Sequence, residues 1–223
     1  MIVLLGDTRQ HELVRMLEER GWGRMWVDRR PEPYPGEPWG FDNGAFSDWT
    51  AGRPFDADAF ERRLERARRT ETAPYMAVLP DLVAGGLRSL DFSLSWRERI
   101  GEDEWPWYLA VQDGMHLRDV APLLDGWFAG VFLGGTTRFK STAPRWCALA
   151  HELGLRFHYA RASTIPRVMD ARAIKADSID SSFPLWNRSR LDEFCRAAGK
   201  GEIRQARLWN PALVNLVAEE YLG

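Results

Sequence analysis

The sequence predicts an α/β protein folded as a compact (β/α)8 TIM barrel. Eight short apolar runs recur along the chain, amphipathic segments separate nearly all of them, and no internal repeat or low-complexity tail divides the 223 residues. A closed parallel barrel needs eight strands, each followed by a crossover helix. An open doubly wound sheet uses the same alternation and is the runner-up, but the strand count favours closure. One domain spanning residues 1–223 is expected, since this length buries a single sizeable core.

The apolar runs fall at residues 3–5, 25–27, 39–41, 75–79, 107–111, 130–133, 156–159 and 178–179. They are brief and largely continuous, as strands buried on both faces are. The opening Met1-Ile2-Val3-Leu4-Leu5 runs into Gly6-Asp7 without a basic start or a cleavage site, so it reads as a first strand and not as a signal peptide. Helical patterning predicts segments at 12–20, 57–69, 87–99, 117–124, 143–153, 165–173, 190–198 and 211–221. Gly21, Gly154 and Gly199 follow three of them as left-handed stops. The Pro- and Gly-rich residues 30–38 replace one barrel helix with a loop.

Composition excludes several classes. No run approaches the roughly 20 apolar residues of a membrane span, so no membrane is expected as a partner. Cys147 and Cys195 are the only cysteines, too few for a disulfide framework, which suits a reducing cytoplasm. Cys147 and His151 sit one helical turn apart and with Cys195 offer at most a partial metal set, so neither metal nor cofactor is expected. His158, within a strand, reads as packed or hydrogen-bonded, while His11 and His116 read as surface. The net charge of −2 gives no sign of a protein that coats nucleic acid non-specifically, so any polynucleotide must meet a local patch. Lys140, Lys175 and Lys200 are the only lysines; arginine forks suit phosphate, although codon usage in a GC-rich genome gives the same bias.

The strand ends carry the chemistry. In order they present Asp42-Asn43-Gly44, Pro80-Asp81, Gln112-Asp113-Gly114, Gly134-Gly135-Thr136, Arg161, and lastly Asp177 with Asp180. A barrel gathers such tips at one mouth. Taken singly, Asp42-Asn43-Gly44 also suits a plain turn and Asp180-Ser181-Ser182 a helix cap. Together they suit a planar heterocycle with a guanine-like edge: Asp81 accepts from an amine and a ring N–H, while Gln112 and the N–H groups near Gly134 and Gly135 donate to a carbonyl.

Over residues 39–194 this ordered set resembles the catalytic barrel of the tRNA-guanine transglycosylase family. Within that family it looks more like the phage and bacterial DNA-guanine transglycosylases of 7-deazaguanine DNA modification. The resemblance implies that Asp42 is the acid/base aspartate of a D-S-G-G-F motif and Asp180 the nucleophile, with Asp81, Gln112, Gly134 and Gly135 reading the base. Asn43 and Phe46 join that base pocket; Asn43 stands for the usual serine and Ala45 for the usual glycine. It further implies replacement of guanine in DNA, or alternatively in tRNA, by a free 7-deazaguanine such as the 7-cyano form, in a bacterial or phage-infected cell. The cysteine-rich zinc insertion of the tRNA enzymes has no counterpart here, which favours DNA.

Arg138, Lys140, Arg161, Arg188 and Arg190 lie just beyond strand ends and are candidates for nucleic-acid phosphates, with Trp186 stacking on a neighbouring base. Solvated arginines and a core tryptophan are the plain alternative. Two other functions remain open: a barrel enzyme acting on a small nucleoside-like molecule, and a non-catalytic nucleic-acid-binding subunit. A homo-oligomer or a helper protein is a further expectation, with exposed tryptophans marking the interface.

Overall fold

The computed structural model describes residues 1–200. Eight parallel strands, β1 (Ile2–Gly6), β2 (Gly23–Trp26), β3 (Gly40–Phe41), β4 (Met76–Val78), β5 (Trp107–Val111), β6 (Gly130–Leu133), β7 (Arg156–Tyr159) and β8 (Ser178–Ser181), pair in chain order. β8 closes the barrel on β1, with Ile2 beside Ser178 and Leu4 beside Asp180. The predicted TIM barrel is therefore the observed fold.

Strand period two decides which side chains face inward. Ile2, Leu4, Met76, Val78, Tyr108 and Ala110 form the barrel interior, while their neighbours Val3, Leu5, Ala77, Leu109 and Val111 pack outward against the helices. The same parity turns Phe132, His158, Ser178 and Asp180 inward. Gly40 lets the interior close, because a Cβ there would lie 2.7 Å from the sulfur of Met25. Outside the barrel, Trp22, Trp26, Trp39, Trp107 and Trp146 are fully buried, and truncating a core aromatic of this kind to alanine costs about 3–5 kcal/mol.

The helices are α1 (His11–Arg20), α2 (Ala45–Thr50), α3 (Ala57–Arg68), α4 (Leu87–Ile100), α5 (Leu117–Val120), α6 (Thr137–Lys140), α7 (Ala143–Glu152), α8 (Ile165–Ala173), α9 (Phe183–Trp186) and α10 (Leu191–Ala198). The expected helix at 117–124 stops early: Ala121–Leu123 tightens into a 3-10 turn, since Pro122 has no N–H to continue the helix. The one-turn helix α6 and the equally short α9, together with α2, follow β6, β8 and β3 and were not foreseen. Residues 30–38 form a loop, as expected; the buried pair of Arg24 and Glu37 anchors it at 2.6 Å, and Arg24 also donates to the Glu32 carbonyl. Asp177 corrects the reading of strand eight: it precedes β8 at the opposite end from Asp180, accepting from the Phe157 N–H at 2.7 Å. The helix expected at 211–221 lies outside the described residues. No helix among the described residues is long and apolar enough to cross a membrane.

Candidate active site

Asp180 occupies an inward position of β8, and two donors fix one of its oxygens. Oδ1 lies 3.0 Å from His158 Nε2 and accepts the Arg161 N–H at 2.8 Å. His158 is wholly buried, stacked on Phe132 at 4.9 Å between ring centres, with Nδ1 2.8 Å from Ser178 Oγ. An ionised Asp180 requires a proton on Nε2, the donor of that contact. Arg161 adopts φ +51°, a left-handed conformation that costs a non-glycine residue about 1–2 kcal/mol. That conformation belongs to the residue whose N–H meets the carboxylate. Burial opposes ionisation of Asp180, but the His158 hydrogen bond and charge, the Arg161 N–H and the Lys140 ammonium outweigh it and hold the carboxyl below the usual range.

Across the mouth the environment is reversed. The Asp42 N–H donates to the Trp26 carbonyl at 2.9 Å, carrying the pairing of β3 one residue past its end. Its carboxylate accepts the Gly44 N–H at 2.6 Å. Gly44 sits at φ +78°, where a Cβ would approach the Arg63 guanidinium to 2.5 Å. Burial pushes Asp42 up to about 6, with the Gly44 hydrogen bond opposing and the Asp180 charge adding to the rise. Asp81, at the tip of β4, is likewise pushed up to about 6 by burial, against the Asn43 hydrogen bond and with the Asp42 charge adding. Asn43 joins the two tips: its Nδ2 donates to the Leu79 carbonyl and to Asp81 Oδ1, both at 2.8 Å. Its Oδ1 accepts the Ala45 N–H at the start of α2.

Two connected cavities open beside these acids. The narrower, about 190 Å³, has apolar walls from Val78, Ala110 and Phe132 and a polar edge that includes Asp81. The wider, about 620 Å³, is lined by Thr136, Lys140, Arg167 and Ser181 among others. Asp42, Gly135, Arg161 and Asp180 line both, so the two carboxylates stand where the cavities meet. All eight residues expected to be catalytic or base-binding, Asp42, Asn43, Phe46, Asp81, Gln112, Gly134, Gly135 and Asp180, line the narrower cavity. A recess of this size, with apolar walls and a carboxylate on its polar edge, has room for one small heterocycle.

Several roles differ from the expectation. The Gln112 amide does not reach out to a ligand: Nε2 donates to the Leu82 carbonyl at 2.9 Å and Ser89 Oγ at 2.8 Å, and Oε1 accepts the Ala84 N–H at 2.6 Å. It braces the loop after β4. The Gly134 N–H is taken by the Val111 carbonyl at 2.9 Å, so Gly135 is the backbone donor left of that pair. Gly135 sits at φ +75°, and a Cβ there would lie 2.6 Å from Asp113. Asp113 in turn accepts both the N–H and the hydroxyl of Thr136, at 2.7 and 2.6 Å.

The cations divide. Arg161 lays its guanidinium over the Phe46 ring at 4.2 Å. Lys140 is a pocket wall and not a rim group: only 6% exposed, it donates to the Ala160 carbonyl. Burial lowers it to about 8, Asp180 opposing and the Arg161 and Arg167 charges adding to the fall. Arg138 lines a neighbouring groove with Asp113 and Arg145. Arg188 pairs with Glu12 at 3.1 Å and Arg190 with Glu193 at 2.8 Å; neither lines the two cavities. Trp186 is 80% exposed, which excludes the core reading.

Sequence reasoning missed His158 as the partner of Asp180, Ser178 as the partner of His158, and Arg167 altogether. Strand parity held the signal for the first two, since His158 pairs in register with Ser178, two residues before Asp180. Among the described residues no group of three possible ligands could hold a metal ion; the Cys147 thiol donates to the Ile174 carbonyl, and Cys195 faces the Met16 sulfur at 3.7 Å.

Comparison with protein-family models gives no match, and none is found among curated proteins or solved structures, so the family resemblance rests on the residues of the barrel mouth.

Proposed function

We propose that the protein is a base-exchange glycosyltransferase that replaces guanine in DNA with a 7-deazaguanine through a glycosyl-aspartate intermediate. One observation carries the reading: two carboxylates of opposite protonation preference stand at the junction of a base-sized recess and a wider polar pocket. Environments that push paired acids apart assign an acid and a nucleophile.

In the first half-reaction Asp180 Oδ2, the oxygen not held by His158 and Arg161, forms a bond to the anomeric carbon. The carbon–nitrogen bond to guanine breaks, and its electron pair leaves with the base. Asp42, pushed up to about 6 and so able to hold a proton much closer to neutral pH than an ordinary aspartate, delivers it to the departing guanine. In the second half-reaction Asp42 takes a proton from the ring nitrogen of the incoming base, which attacks the same carbon and releases the Asp180 carboxylate. Asp81 accepts from the amino edge of either base, Gly135 N–H serves a carbonyl, and Phe46, 40% exposed and backed by Arg161, offers a ring face to the base. Gln112 and Asn43 act through Asp81 as positioning residues.

The experiment is to incubate the protein with a guanine-containing DNA oligonucleotide and resolve a denaturant-resistant protein–DNA adduct. The expected adduct disappears in Asp180→Ala. An adduct on tRNA alone moves the substrate; none on either polymer overturns the proposal.

A further inference from the structure

The outer half of the mouth holds more positive charge than the protein neutralises. Lys140, Arg161 and Arg167 line the wider cavity, and among the described residues none of them forms an ion pair with a carboxylate. Their donors rest on neutral oxygens. Arg161 reaches the Gly135 carbonyl at 3.3 Å, Lys140 the Ala160 carbonyl, and Arg167 the hydroxyls of Ser163 at 3.4 Å and Thr137 at 2.5 Å. Asp7 borders the same cavity but is matched by Arg29 at 3.4 Å. That leaves two acids, Asp42 and Asp180, on a wall shared with three cations. Burying like charges together is costly unless an anion joins them.

We propose that the wider cavity is a phosphate subsite, in which Arg161, Arg167 and Lys140 hold the phosphate attached to the sugar whose base occupies the recess. The site then recognises a nucleotide and not a nucleoside. Guanidinium forks match phosphate oxygens in pairs, and the ammonium adds a point charge. The inference rests on the base-exchange reading for the placement of the base, while the phosphate itself belongs either to a strand or to a free nucleotide.

The test measures binding, not turnover. A labelled single-stranded oligonucleotide with one central guanine is titrated by fluorescence anisotropy, intact and with single phosphates replaced by neutral methylphosphonates. Neutralising one phosphate next to the guanine weakens binding about tenfold, more than the same change two positions away. Arg167→Ala, on a partly exposed position of α8, weakens the intact oligonucleotide about tenfold but adds nothing for the neutralised one, and Lys140→Met behaves likewise. Strictly additive losses, or equal losses at every phosphate, overturn the subsite. Failure of the wild type to bind overturns it too. Competition by dGMP about tenfold better than by deoxyguanosine supports the subsite and extends it to a free nucleotide; equal competition by the two overturns it. Phosphate-specific binding without a covalent adduct supports the subsite and removes the base-exchange reading, so the two failures are distinguishable.

Discussion

The β3–β4 side and the β7–β8 side of the mouth use the same residue type to opposite ends. On one, Asp42 and Asp81 are desolvated, Asp42 facing the charge of Asp180 and Asp81 that of Asp42, and both rise to about 6. On the other, Asp180 is equally enclosed yet falls below its ordinary value, because His158, Arg161 and Lys140 surround it with donors and positive charge. Burial is common to both, so it does not decide protonation here. The partners do.

The largest expected effect comes from removing the low side. Asp180→Ala is expected to abolish the adduct and lower exchange by at least about 10⁴-fold, as loss of a nucleophile does. Asp42→Asn comes next, with a loss of about 10²–10⁴-fold for a missing general acid and base.

Stability separates the two aspartates by sign. The native pKa of Asp42 is raised from 3.8 to about 6, so its ionisation destabilises the fold progressively as pH rises through that window. Asp42→Asn is therefore expected to raise the stability at pH 7, by up to about 3 kcal/mol, and the melting temperature with it, the gain vanishing below about pH 4. The native pKa of Asp180 is depressed, so its stabilisation is present above the ordinary aspartate pKa and is lost as pH falls through the lower native value. Asp180→Asn is expected to lower the melting temperature at pH 7. Thermal denaturation across pH checks both, and shifts of the same sign would dissolve the contrast.

His158→Phe keeps a ring against Phe132 but removes the donor to Asp180. It is expected to reduce adduct formation by about 10–100-fold and move the acid limb of its pH profile upward, whereas His158→Gln, with an N–H in reach, retains more activity. A profile unmoved by either variant makes His158 structural only. The smallest expected effect is Asn43→Ala, which leaves the Leu79 carbonyl and Asp81 Oδ1 without a donor and costs about 1–3 kcal/mol in denaturant unfolding.

The barrel was legible because parallel strands declare themselves as short apolar runs and Gly ends the helices between them. The single-turn segments α2, α6 and α9 were not, since four to six residues show no helical period. At the site, strand ends announced which residues would meet, but not what each would bond. Gln112 and Asn43 look like ligand groups in sequence and prove to be braces, because amides have both donors and acceptors and neighbouring loops can satisfy them all. Arg188 and Arg190 resemble phosphate contacts until the acids that match them, Glu12 and Glu193, come into view. Pairing across 176 residues, as between Arg188 and Glu12, leaves no local trace.

A carboxylate with one oxygen clamped is no longer symmetric. Oδ1 of Asp180 is committed to His158 and Arg161, so only Oδ2 can approach a sugar, and from one side. Under the proposed chemistry each displacement inverts the anomeric carbon, and the incoming base, confined to the recess that the outgoing one vacated, must arrive on the face from which guanine left. The product then keeps the handedness of the starting nucleotide.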